Sequence, residues 1–212
     1  MDALAANFEG DGHQKVRRIL LSAPKYGNDD DYVDLIARDV YKMLDKECAQ
    51  IEGGYGAKFV CSPHSVFGHG GMGKTTGALP SGRLAWISLA DGNMSPSQGM
   101  DKKGPTAVIK SAGKIDQVPL QGTLLNQKFS PSSLKTKEDL KKFVDYIKTY
   151  LIDYGGKHIQ FNVVSRETLL DAQAHPENYK SLVVRVAGYS ALWVELEPTL
   201  QNEIIARTEQ RW

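Results

Sequence analysis

The pattern of apolar and polar positions alternates between helical and extended segments along the chain. Residues 2–9 read as the tail of a helix, and Arg17 to Ser22 as a short buried segment closed by Pro24-Lys-Tyr-Gly-Asn28. Asp29, Asp30 and Asp31 supply acidic residues for a helix start, where the helix dipole favours them. From there Val33, Ile36, Ala37, Val40, Leu44, Cys48 and Ile51 recur at helical spacing, until Gly53, Gly54 and Gly56 stop the run. Lys58 to Phe67 has the make-up of a strand interrupted at Pro63. Residues 68–106 hold so many glycines and prolines that they read as one long irregular stretch, and a loop of that length in a compact domain is functional or disordered. Its apolar segments, Leu84 to Leu89 and Ala107 to Ile109, speak against simple disorder.

The second half is more regular. Thr136 reads as an N-cap, followed by a helical face of Leu140, Phe143, Val144, Ile147 and Leu151. After Gly155 and Gly156, His158 to Val164 alternates as a strand does. A helix from Glu167 to Ala174 ends before Pro176, because proline disfavours helix in the residue preceding it. Leu182 to Trp193 then reads as a buried strand, β-branched at Val183, Val184 and Val186, that runs into Gly188 and emerges apolar. A short amphipathic helix lies within Glu195 to Glu209. This order is that of an α/β fold with a crossover connection, which predicts that strands near 158–164 and 182–187 are parallel neighbours.

Composition narrows the function classes. A formal net charge of +1 gives no reason to expect nucleic acid or a membrane surface as partner. The first ten residues lack the basic and apolar regions of a signal peptide, and no apolar run approaches spanning length. Cys48 and Cys61 make neither a disulfide framework nor a zinc site. A cytoplasmic enzyme or subunit is the expectation, with no bound metal or cofactor. One motif competes: Gly68-His-Gly-Gly-Met-Gly-Lys-Thr75 satisfies the P-loop pattern, which would make the chain a nucleotide-binding protein. That pattern needs a helix starting at its Lys-Thr, yet Gly77, Pro80 and Gly82 follow closely, and no apolar run ending in aspartate is present to hold Mg²⁺.

The stretch around Gly188 carries a more specific signal. Arg185, Val186, Gly188 and Tyr189, followed by Gln201, Ile204, Ile205 and Arg207, resemble the C-terminal signature of the glycyl radical enzymes. The likeness extends upstream through Tyr26-Gly-Asn-Asp-Asp-Asp-Tyr-Val-Asp34, Thr76-Gly-Ala-Leu-Pro-Ser-Gly-Arg83, Ala90-Asp-Gly-Asn-Met-Ser-Pro96, Gly104-Pro-Thr-Ala107 and His175-Pro-Glu-Asn-Tyr179. The form Arg-Val-Ala-Gly-Tyr-Ser-Ala resembles the diol dehydratase, C–N and C–S lyase, aryl decarboxylase and alkylsuccinate synthase branch more than pyruvate formate-lyase proper. The resemblance implies the later part of a ten-stranded β/α barrel, incomplete on its own. It divides the chain into residues 1–75, the end of a catalytic-barrel region, and residues 76–212, a glycine radical domain.

It also implies a chemistry. In that family a radical-SAM activating enzyme, with an Fe–S cluster and S-adenosylmethionine, removes one α-hydrogen from the glycine. The stored radical then passes to a cysteine that attacks a small-molecule substrate, and the family suggests a homodimer. Gly188 would be the radical site, its missing Cβ allowing the α-carbon to flatten; a packing glycine is the plainer reading. Val186, Ala187, Leu192 and Trp193 would exclude water and oxygen. Arg185 and Arg207 would tie loop to helix, Tyr189 would pack beside the glycine, and Gln201 would hydrogen-bond the glycyl loop or face solvent. The family's Gly-Cys-x-Glu thiyl loop has no match here: Cys61 precedes Ser62, Pro63 and His64. The implied role is a radical store whose cysteine lies outside this chain, as a fragment, a split subunit or a stand-alone spare part. His64 and His69 could approach a substrate cavity.

Overall fold

The structure, a computed structural model, describes residues 1–63 and 68–212. In chain order its main elements are α1 (Asp2–Ala5), α2 (His13–Ser22), α3 (Asp31–Ala49), α4 (Gly68–Lys74), α5 (Pro105–Gly113), β1 (Leu125–Phe129), α6 (Lys137–Lys148), β2 (Ile159–Val163), α7 (Arg166–Ala174), β3 (Val183–Arg185), β4 (Ser190–Leu192), α8 (Pro198–Ala206) and β5 (Glu209–Gln210).

Strand β1 is the centre, buried at every position, with β2 parallel on one side and β5 parallel on the other. Parallel strands need a crossover, and α6 supplies it. Thr136 starts α6 with a reciprocal capping box: its hydroxyl accepts from Asp139 N at 3.1 Å while Thr136 N donates to the Asp139 carboxylate at 3.0 Å. One face of α6 then packs on the sheet. Phe143 lies edge-on to Phe129 and Phe161, with ring centroids 5.4 and 4.6 Å away. Short β5 leaves the first half of β1 unpaired on that edge, and the 91–95 segment takes its place. Met94 N donates to Leu124 O at 3.0 Å, Asn126 N to Ser95 Oγ at 3.0 Å, and Asn126 Nδ2 to Asp91 O at 2.9 Å. The glycine-rich stretch is thus ordered by donors and acceptors of a buried strand.

The acidic run before α3 is a clamp. Asp30 caps α3, and Lys114, just past α5, meets Asp29, Asp31 and buried Asp34 at 3.0, 2.7 and 2.8 Å. Asn28 spans Lys25 O, Met100 O, Lys102 N and Lys103 N. A second core, formed by Val164, Leu169, Val184, Val186, Trp193, Ile204 and Ile205, joins α7 and α8 to the β3–β4 hairpin.

Several expectations from sequence are overturned. The strand at 182–187 is no parallel neighbour of β2: β3 turns at Gly188 and pairs antiparallel with β4. The reason is local, because Arg185 finds its backbone partners in the Asn162 side chain, which accepts from Arg185 N and donates to Arg185 O, both at 2.7 Å. Arg17 to Ser22 belongs to α2, which has no buried residue. Residues 68–106 are not irregular throughout: α4 lies at their start, and Ala107 to Ile109 fall within helix α5. Of the strand expected at Lys58 to Phe67, the described residues show one isolated bridge, Glu52 to Lys58; residues 64–67 lie outside the description. Helix α3 exists, but it docks through Asp34, Ala37, Tyr41 and Cys48, leaving Ile36, Val40, Met43 and Leu44 exposed.

Candidate functional site

The β3–β4 hairpin turns through Val186, Ala187, Gly188 and Tyr189, closed by Val186 N donating to Tyr189 O at 2.9 Å. Gly188 sits third in the turn with φ +79°, the sign that a type II turn requires there and that costs glycine nothing. Val186, Ala187 and Trp193 beneath it are fully buried, Leu192 is half-buried, and Gly188 itself is exposed. Within this chain the apolar neighbours lie on one side of the turn. A Cβ built on Gly188 meets nothing within 4 Å. Backbone conformation, not space, is what calls for glycine here.

Three side chains hold this turn. Gln160, on β2 and 5% exposed, accepts through Oε1 from Gly188 N at 3.1 Å and from Arg185 Nε at 2.8 Å. Its Nε2 lies 2.9 Å from His158 Nε2. Asn162, two residues along the same strand face, grips the Arg185 backbone as described above. Arg185 also reaches across the hairpin, its NH1 donating to Ser190 Oγ at 3.2 Å.

Behind the hairpin lies a buried charge network. Arg207 donates through Nε and NH2 to the two oxygens of Glu203, at 3.0 and 2.8 Å, and faces Asp91 Oδ2 at 3.1 Å. Its NH1 points to Arg185 O at 3.4 Å. Gln98 Nε2 donates to Glu203 at 3.0 Å, and His69 Nε2 lies 3.4 Å from the same carboxylate. Burial pushes the Glu203 carboxyl up, but Arg207 and His69 outweigh it and bring it down to about 2. Burial raises Asp91 despite Arg207. Burial works against the Arg207 guanidinium, yet Asp91 and Glu203 together hold it above its ordinary value. Nearby, burial also raises Asp101, against the hydrogen bonds from Thr208 and Gln210, to about 6.

Of the residues singled out from sequence, Arg185, Val186, Ala187, Gly188 and Tyr189 form the hairpin, and Arg207 reaches its backbone. Tyr189 is 38% exposed. Gln201 does not bond the Gly188 turn: its Nε2 donates to Trp193 O at 2.9 Å, beyond β4, and its Oε1 accepts from Gln173 at 3.1 Å. His64 lies outside the described residues; His69 is buried in the charge network. Cys61 is a buried thiol of the first core whose pKa is raised by burial and by adjacent Cys48, so it is no activated thiolate.

The P-loop alternative does not survive. Its residues are themselves the helix α4, which ends at Lys74, so no loop is left to cradle a phosphate ahead of a helix. Thr75 N and Thr76 N are spent on Met72 O and Gly73 O, and Arg83 covers the same helix end by donating to Gly73 O and Gly77 O. Sequence reasoning missed Gln160, Asn162, Asp91 and Glu203. A signal was available for the first two. Along β2 the polar residues fall on one face, and a buried polar face must find partners.

A cleft of about 510 Å³ opens between α2, residues 79–90 and α8, lined by Leu21, Leu79, Trp86, Ile87, Leu89 and Glu203 among others; Gly188 is not among its lining residues.

Two family models match the chain: glycine radical over residues 90–194, which includes β3, the turn and β4, and pyruvate formate lyase-like over residues 1–73. Among curated relatives, indoleacetate decarboxylase from Tractidigestivibacter scatoligenes is 44% identical over 93% of this chain and 22% of its own length. The probable dehydratase YbiW of Escherichia coli K12 is 45% identical over 98% of this chain and 26% of its own. The crystal structure of hydroxyproline dehydratase from Clostridioides difficile superposes with a TM-score of 0.93 at 40% identity, over all of this chain and 26% of that one. The chain thus spans about a quarter of the length of these proteins. With both family models and relatives at this identity in agreement, and with an α/β fold that superposes throughout on such enzymes, the chain belongs to the glycyl radical enzyme family.

Proposed function

We propose that Gly188 is the residue that carries the radical. One hydrogen atom leaves its α-carbon, taken by a radical-SAM activating enzyme, and one unpaired electron remains. Delocalisation into the flanking amide nitrogen and carbonyl requires a planar α-carbon, which only glycine attains without a side-chain clash. The observation that carries this reading is a glycine at positive φ in a hairpin turn whose flanks are buried and hydrogen-bonded, inside the region matched by the glycine radical family. Arg185 and Arg207 support it by fastening hairpin, sheet and helix together.

The stored radical serves a cysteine outside this chain: when that thiol gives its hydrogen atom back to Gly188, glycine is restored and a thiyl radical is left facing a small-molecule substrate. Neither Cys48 nor Cys61 fits this role, since both pack in or against the first core while the turn belongs to the second. Relatives that are decarboxylases, dehydratases and lyases support a reaction of the lyase type. The exposed α3 face of Ile36, Val40, Met43 and Leu44 supports an upstream catalytic region that covers it, and a chain inactive without that region. On this reading residues 1–75 close the catalytic barrel and residues 76–212 form the radical domain.

Anaerobic activation of the chain together with its upstream region should give an EPR doublet from a single α-hydrogen. Gly188→Ala should abolish it while the chain stays folded, because the new Cβ meets open space and the strain at positive φ costs only about 1–2 kcal/mol. A doublet that survives Gly188→Ala would falsify the assignment.

A further inference from the structure

We infer that Gln160 is a positioning residue for the radical at Gly188; the inference rests on the proposed role of that glycine. Gly188 lies at an exposed tip, yet its N–H is not left to water: the Gln160 amide oxygen accepts it at 3.1 Å. The same oxygen accepts Arg185 Nε at 2.8 Å, so it stands between a neutral donor and a cationic one. Two donors converging on one atom identify that atom as the oxygen, and the amide's NH₂ accordingly faces His158 Nε2 at 2.9 Å. Gln160 is itself 5% exposed and projects from a strand paired along its whole length to β1. Its rotamer is therefore fixed by rigid surroundings, and the Ala187–Gly188 peptide is fixed through it.

The consequence is chemical as well as geometric. In a glycyl radical the amide nitrogen feeds electron density towards the α-carbon while the carbonyl withdraws it. A hydrogen bond accepted from the N–H raises the donor character of that nitrogen, and a fixed peptide plane keeps nitrogen, α-carbon and carbonyl aligned. Arg185 limits how much negative charge the Gln160 oxygen presents, and holds it on the turn. Gln160 touches the backbone of the residue that would hold the spin, not the reacting hydrogen.

The first test needs no radical. Amide exchange in the chain should show Gly188 N–H protected despite its exposure, together with Val186 N–H, which is held within the turn. Gln160→Leu should speed exchange at Gly188 by about five- to tenfold, the effect of one ordinary hydrogen bond, and leave Val186 unchanged. Gln160→Glu keeps an acceptor oxygen and should restore protection; if Gln160→Leu disturbs the whole hairpin, this variant decides. Gly188 exchanging as fast in the parent chain and in Gln160→Glu as in Gln160→Leu overturns the contact. The second test reads the activated protein by EPR and ENDOR. Coupling to the exchangeable Gly188 amide proton should change in Gln160→Leu and return in Gln160→Glu. An unaltered coupling in Gln160→Leu overturns the positioning role while the radical assignment stands, whereas no doublet in the parent protein removes the radical assignment itself.

Discussion

The residues around the hairpin are joined by side chains whose partners are buried, and the Glu203–Arg207–Asp91 network is the most charged of these joints. Because Glu203 is held down to about 2 from an ordinary 4.5, it contributes stability that is fully present above about pH 4.5 and lost as pH falls through 2. Acid titration of unfolding should show this limb, and Glu203→Gln should flatten it. Arg207→Met leaves two buried carboxylates without their cation and should cost about 3–5 kcal/mol in chemical denaturation. A loss within experimental error would mean that the network is solvated. The nearness of Arg185, Gly188 and Arg207 was legible in sequence because their spacing resembles a family signature, and Arg207 does reach the Arg185 carbonyl beside the turn. Gln160 and Glu203 were not, since each acquires meaning only from a partner distant in the chain. Gln201 was legible as a polar residue that bonds backbone, but its target, Trp193 O, depends on how α8 packs.

Among the elements, helices with caps were the easiest to read. Thr136 and Asp30 fix the starts of α6 and α3, and the helix expected after Thr136 and the strand expected at His158 to Val164 appear as α6 and β2. The central strand was illegible. Leu125-Asn-Gln-Lys-Phe129 lacks alternation and places Lys128 in the interior, where its ammonium donates to Ile204 O and Ile205 O at 3.3 and 3.0 Å at the end of α8. That lysine, lowered by burial to about 8, matches the orphan carbonyls of a helix C-terminus, a pairing only tertiary structure supplies. The register of β3 failed for a related reason, with the Asn162 amide standing in for a neighbouring backbone. Asn162→Leu should thus release the hairpin from β2 at a cost of about 2–3 kcal/mol, two hydrogen bonds at a partly buried site. Unchanged melting and unchanged protection of Arg185 N–H would contradict that reading.

At the scale of the whole molecule, α3 carries an apolar face that nothing in the described residues covers, and the chain matches about a quarter of its relatives' length. Replacing Ile36 and Val40 by Gln should leave the chain's own stability within about 0.5 kcal/mol, as at other exposed sites, yet weaken its assembly with the upstream region. Equal assembly by size-exclusion chromatography would show that this face is not an interface. Everything else in the proposed function depends on where the unpaired electron sits. The most direct measurement is intact mass spectrometry of the anaerobically activated protein after exposure to air, since oxygen adds to a backbone radical and the chain then breaks at that residue. Cleavage at Gly188, releasing a peptide that begins at or beside Tyr189 and absent in Gly188→Ala, is the result expected. An activated, EPR-positive protein that stays whole in air, or breaks elsewhere, would contradict the placement of the radical at Gly188.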